Sequence, residues 1–325
     1  MGNEILGSKS YLALISETTW GTNPDSASGA GSGTGGGAVS AVHVPVDEYS
    51  VRFRPENRQA NPFLGIYQRK HSKNFRGMLQ GSLRCPLYGA SQGGVMGGKS
   101  LAEWLMDWAF ESHESNDLPS KTAYWHEGPG TANQEHNGLR VNQATLQGSD
   151  DSGIIEISLD LMGQREDALA SNVALPNDRD KIVEFEFQDA AFQLAGSAVT
   201  LKSFNLQLTR GLQAHYLNSY HPSFLFPGDY AMTLQMVLAK NANTYDIIRR
   251  AETTDERTGR ITLQGLHNGT MAGTYAQVTI DFDRLHTMDV DDDRARQNLN
   301  FQTLNFVVLK PDTANNGFRT TWTTV

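Results

Sequence analysis

The sequence predicts a mainly β protein, built as antiparallel sandwiches with one wet face, each flanked by a helix, in two successive units. Three observations predict it. Strand-length segments alternate apolar and polar residues, only two segments carry helical spacing, and the order of elements in the first half recurs in the second.

The strands come first. Segment 44–54 alternates through Val46, Tyr49, Val51 and Phe53, and 75–88 continues with Met78, Leu79, Leu83 and Leu87. Segment 153–163 places Ile155, Ile157, Leu159 and Leu161 on one face and Glu156, Ser158 and Asp160 on the other. A period of two suits an antiparallel sheet wetted on one side, whereas a buried parallel sheet needs continuous apolar runs. The helices are 100–111 and 243–256. The first sets Leu101, Trp104, Leu105 and Trp108 at i, i+3, i+4 and i+7, with Ser100 and Glu103 as a capping box. The second has a shorter apolar stripe at Tyr245, Ile247 and Ile248.

In the first half the order is strand 44–54, long loop, strand 75–88, helix 100–111, strand 121–127, then the strand pair 139–148 and 153–163. The second half runs strand 199–210, long loop, strand 229–240, helix 243–256, strand 260–266, then the pair 275–283 and 299–309. Duplication of one sandwich-plus-helix unit explains the agreement, with chance agreement of two β-rich stretches as its alternative. The linker falls at 165–180 and holds Pro176. A Gly/Ser tract at 26–38 sets Ser10-Tyr11-Leu12-Ala13-Leu14-Ile15 apart as an arm that can pair away from its own domain.

Composition narrows the function. Formal net charge is −9, which argues against a protein that grips nucleic acid through clustered Lys and Arg. The single cysteine, Cys85, rules out an internal disulfide and a CxxC zinc site, and reads as a small core residue. No stretch approaches the roughly 20 apolar residues of a membrane helix. The N-terminus shows no signal-peptide pattern, so synthesis and folding are expected in a cytoplasm.

Several motifs invite other readings. Gly93-Gly94-Val95-Met96-Gly97-Gly98-Lys99-Ser100 fits GxxxxGK[ST], with a helix after it and Ile157-Ser158-Leu159-Asp160 as a partner motif. A phosphate loop needs a parallel sheet of βαβ units, which alternating strands and two helices do not supply. The plainer reading is a Gly-rich connection with Ser100 as N-cap, and a nucleotide-binding protein stays as the alternative. Gly89-Ala90-Ser91-Gln92-Gly93 matches GxSxG, but the helix begins too late for a nucleophile elbow. Asp289-Val290-Asp291-Asp292-Asp293 lacks the glycine and terminal Glu of a calcium loop, and the nine histidines show no HxxxH spacing. Asn268-Gly269-Thr270 reads as a hairpin turn. No enzyme, cofactor or metal is expected.

Three passages stand out: Ser10-Tyr11-Leu12-Ala13-Leu14 with Glu17-Thr18-Thr19-Trp20-Gly21-Thr22, Leu139–Leu146 (LRVNQATL) with Gly153–Gly163 (GIIEISLDLMG), and Val199–Leu208 (VTLKSFNLQL) with Phe226-Pro227-Gly228-Asp229-Tyr230. Together they resemble the major tail tube proteins of long-tailed phages. The resemblance implies a tail-tube β-sandwich flanked by a helix, duplicated here into two tube-like domains at 41–175 and 176–312. Residues 1–40 then form an N-terminal arm and 313–325 a C-terminal one. It also implies a structural virion protein whose rings, six-fold or pseudo-six-fold, stack into a conduit for DNA ejection. Three duplicated chains or six single ones would make a ring. The implied partners are further copies of the chain, the tape measure, tail terminator and distal tail proteins, and genomic DNA that passes without specific binding, with no membrane. A tail-tip or decoration role is a neighbouring alternative, and a secreted carbohydrate-binding sandwich a more distant one.

Charge placement adds a sharper expectation. The first long loop is basic through Arg52, Arg54, Arg58, Arg69, Lys70, Lys73 and Arg76. The loop between the last two strands is acidic through Asp281, Asp283, Asp289, Asp291, Asp292 and Asp293. These two are expected to meet between stacked rings or adjacent subunits, against the plainer reading of two solvated loops of opposite sign. The aromatic loop with Tyr216, Tyr220, Phe224 and Phe226 is expected to bury itself in an inter-subunit contact or on its own domain.

Overall fold

The computed structural model describes residues 10–22, 41–60, 71–89, 100–110, 118–126, 133–168, 184–239, 256–265, 276–292, 301–309 and 318–324. In the first half the strands are β1 (Tyr11–Ser16), β2 (Val42–Val44), β3 (Glu48–Tyr49), β4 (Arg52–Ala60), β5 (His71–Pro86), β6 (Lys121–His126), β7 (Gln134–Ser149), β8 (Ile155–Gly163) and β9 (Arg165–Ala168), with helix α1 (Leu101–Phe110). Then come β10 (Ala191–Leu194), β11 (Ser197–Val199), β12 (Leu201–Thr209), β13 (Gln213–His215), β14 (Phe224–Phe226), β15 (Ala231–Ala239), β16 (Arg257–Gly265), β17 (Ala276–Asp292), β18 (Phe301–Val308) and β19 (Phe318–Thr324).

Alternation in sequence becomes a two-faced sheet. In β15, Met232, Leu234, Met236 and Leu238 are buried while Thr233 and Gln235 between them are exposed. β8 does the same with Ile155, Ile157, Leu159 and Leu161 inward. Strands of this kind join into one antiparallel sheet in the order β4–β5–β8–β7–β12–β15–β18–β17. The link between the halves is the β7–β12 ladder, which runs from Ser203 opposite Ser149 to Thr209 opposite Gln143. Leu146 and Leu206 meet across it, both fully buried.

Two of the three longest strands, β7 and β17, turn from this sheet into a second layer. The start of β7 pairs with β6 and β9, and β6 continues to β1 and β2. The start of β17 pairs with β16 and β19, and β16 continues to β10 and β11. Each pairing in the first half therefore has a counterpart in the second. β4–β5 matches β12–β15, β5–β8 matches β15–β18, β7–β8 matches β17–β18, and β1–β6 matches β10–β16.

Helix α1 forms as its spacing predicts. Ser100 accepts the Glu103 backbone N–H at 3.2 Å through Oγ, and Leu101, Leu105, Trp108 and Phe110 are buried on the core side. Trp108 Nε1 donates to the Pro119 carbonyl at 3.2 Å. The expected helix 243–256 lies almost wholly outside the described residues, and so do Gly93–Lys99 of the glycine-rich motif and Asn268-Gly269-Thr270.

Four expectations change. Tyr11–Ser16, read as an arm, lies between β2 and β6 in this chain, because Leu12 and Leu14 need a core to bury them. Phe318–Thr324 near the C-terminus is likewise a strand paired with β17. Part of the expected linker, Arg165–Ala168, is strand β9. The acidic run is a strand through Asp292, and most of the basic run lies on β4 and β5.

Gly81 shows how closely the first edge is packed. A Cβ there would stand 2.5 Å from the Ser50 carbonyl oxygen and from the Val51 backbone. Backbone cannot yield as a flexible side chain can. Gly81→Ala is expected to cost about 1–3 kcal/mol in urea unfolding and to loosen β4, while an unchanged midpoint would contradict this packing.

Candidate assembly edges

The first half is locked by the segment that follows β1. Glu17 takes four donors: the Gly21 and Gly138 backbone N–H groups at 2.8 and 2.7 Å, and the Ser120 and Thr122 hydroxyls at 2.7 Å each. Trp20 Nε1 donates to the Gly138 carbonyl at 2.9 Å, and Gly138 has φ of +73°, a conformation glycine allows. The Glu17-to-Thr22 motif thus ties β1 to β6 and β7. Most of its bonding role was not legible in the sequence, since Ser120, Thr122 and Gly138 stand more than 100 residues away and only Gly21 is local.

The wet face of the long sheet is built mostly from amides and hydroxyls, with Asp160, Glu156 and Arg84 among them on β8 and β5. Gln143 and Thr145 on β7 stand opposite Thr209 and Gln207 on β12. Gln235 on β15 bonds Asn305 on β18 at 3.0 Å. Charges on this face are partly paired within the chain, as Arg84 is with Glu156 at 2.9 Å.

At each end the sheet stops on an edge. Among the described residues no strand pairs with the outer side of β4 or with the outer side of His286–Asp292 in β17. One side chain does reach β4: the Glu166 carboxylate accepts the Phe53 N–H at 3.1 Å. Arg52 and Arg54 lie exposed on β4, and Asp289 lies exposed on β17. The backbones of Asp291 and Asp292 continue β17, and that of Arg58 continues β4, where it faces Lys73. Arg69, Lys70 and Asp293 lie outside the described residues. Arg76 bonds Glu56 of its own hairpin at 2.6 Å and lies 4.7 Å over the Tyr216 ring. Each half of the expected charge contact therefore sits on an edge, and the two edges are at opposite ends of one sheet. The chain does not bring them together itself.

The aromatic loop lies across the end of the first half. Arg210 N–H bonds the Asn142 carbonyl at 2.9 Å, and Leu212 N–H bonds Asn142 Oδ1 at 2.8 Å. Further on, the Leu225 carbonyl accepts from Arg140 at 2.9 Å, and the Tyr220 carbonyl accepts the Gly77 N–H at 3.0 Å. Tyr220 stacks on Phe53 with ring centres 5.7 Å apart, and Phe224 stacks on Phe226 at 5.7 Å. The loop packs on its own chain, yet Tyr220, Phe224 and Phe226 remain 40–46% exposed.

Among the described residues every strand pairing is antiparallel, whereas a phosphate-loop protein needs a parallel sheet. Among the described residues no group of three or more His, Cys, Asp or Glu could hold a metal ion. Among the described residues no helix is long and apolar enough to cross a membrane. Cys85 is fully buried, and burial pushes its thiol up to about 12.

Behind the β4 edge lies a buried histidine. Tyr49 Oη is 2.6 Å from His136 Nδ1, and Glu166 is 3.8 Å from Nε2. Burial lowers the His136 pKa to about 4. The unfolded chain, with histidine near 6.5, takes the proton first as pH falls. The stability this group contributes is complete above about pH 6.5 and is lost toward pH 4. The urea midpoint is expected to fall between pH 7 and pH 5 by the equivalent of about 1–2 kcal/mol from this group, and His136→Gln should flatten that fall. An equal fall in the variant would assign the effect elsewhere.

A family model for phage tail tube proteins matches residues 7–303. No match was found among curated proteins. The match spans both halves of the sheet and the joint between them, and the chain belongs to the phage tail tube protein family, structural components of the virion tail.

Proposed function

We propose that this tail protein closes head to tail into rings of three chains, and that the rings stack into the conduit through which DNA leaves the capsid. One observation carries the reading: the joint between the halves, β7 on β12, has its two counterpart edges, β17 and β4, at the ends of the same sheet. A joint that recurs from chain to chain is a heterologous contact, and such contacts close into rings when their rotation allows. The matched pairings support a division into two tube-like domains, 41–175 and 176–312, with β1 belonging to the first. Three chains then supply the six units that the family resemblance implies.

The amide and hydroxyl face lines the lumen in this reading. It presents no continuous row of Lys or Arg to exchange for phosphate counterions, so DNA slides past it without being held. The second layer and α1 form the outer wall. The tape measure, tail terminator and distal tail proteins are the expected neighbours, and assembly takes place in the host cytoplasm.

Negative-stain imaging with native mass spectrometry over a range of concentrations tests this. Hollow rings of three chains, or tubes built from them, are expected. Rings of six chains, or a monomer at every concentration, would contradict it.

A further inference from the structure

We infer that chains join by a charge-paired copy of the internal joint, with Arg54 of one chain opposite Asp289 of the next and Arg52 opposite Asp291. This rests on the ring reading and specifies its register.

The register follows from the ladders. β7 has a bulge between Val141 and Gln143, and β17 has one between Thr287 and Asp289. Directly after the bulges Gln143 faces Asp160, and Asp289 faces Asn305. Gln143 therefore corresponds to Asp289, and Asp160 to Asn305. Asp160 faces Ser82 on β5, and Asn305 faces Gln235 on β15. Two residues back along each strand, Gln80 faces Arg52 and Thr233 faces Gln207. Arg52 thus corresponds to Gln207, and Arg54 to Thr209. The core side agrees, since Val51 falls on Leu206 and Leu79 on Met232, all buried.

Inside the chain Thr209 faces Gln143 and Gln207 faces Thr145. Carried to the open edges, these two neutral polar pairs become Arg54 with Asp289 and Arg52 with Asp291. Opposite charges facing one another across antiparallel strands attract, and like charges there repel. A slip by one residue moves every side chain to the other face and loses both pairs. The charges therefore select β17 as the partner of β4.

Two further features fit a second copy. Met288 takes the place of Asn142, which receives the Arg210–Leu212 backbone inside the chain, and its side chain is 65% exposed. Where Ile157 stands in the first half, the second has Gln302 of β18, which is buried and faces the Asp292 backbone. A polar residue buried beneath an edge discourages indiscriminate strand addition. Glu166 on the Phe53 N–H serves the same end on β4, and joining displaces it.

The test places cysteines at Arg52 and Asp291 of one chain, leaving buried Cys85 in place. Oxidised assemblies should run as covalent dimers and trimers without reductant. Arg52→Cys with Asp292→Cys, one residue out of register, should give about tenfold less. In parallel, Arg52→Asp/Arg54→Asp and Asp289→Arg/Asp291→Arg should each raise the concentration for half-assembly about tenfold or more, and all four changes in one chain should restore it to within about threefold. Rings that form without the Arg52–Asp291 crosslink, or that ignore charge reversal, would overturn this register and leave the ring reading standing. Failure of the unaltered chain to form rings would overturn both.

Discussion

The β7–β12 ladder is the contact on which the rest depends. It makes two four-stranded sheets into one of eight. The Leu146–Leu206 pair fixes its inward side and Gln143–Thr209 its wet side. Burying a leucine contributes on the order of 1.5–3 kcal/mol, and a one-residue slip would turn those leucines to water. Register at this joint is accordingly fixed by the core, and the loop from Arg210 to Leu225 clamps it from the side.

A joint of this kind solves the edge problem in one place and leaves it at two others. An open strand is a template for unwanted pairing. Here one edge carries arginine and a glutamate-capped amide, and the other carries aspartate with Gln302 buried on the strand beside it. Self-association by either edge alone sets like charges together, and association of one edge with the other sets unlike charges together. That asymmetry matches a head-to-tail ring.

Much of this was legible in sequence because period-two alternation is local. Leu159, Leu161, Leu206 and Leu234 announce their own inward face, and the repeated order of elements reappears as repeated pairing. What escaped was non-local. The Asp281-to-Asp292 stretch looked like a loop because its wet positions are acidic, yet β16, β18 and β19 hold it as a strand. Tyr11–Ser16 looked detached because glycines follow it, yet its leucines are core. Glu17 and Glu166 act on donors distant in the chain, so only the fold shows what they do.

Amide hydrogen exchange followed through assembly tests the central claim most directly. Residues 143–149 and 203–209 should exchange slowly in the isolated chain and in the tube alike. Residues 49–54 and 286–292 should exchange readily in the isolated chain and become protected together on assembly. Tubes in which both edges still exchange at the isolated-chain rate would contradict the claim that chains are joined as their own halves are.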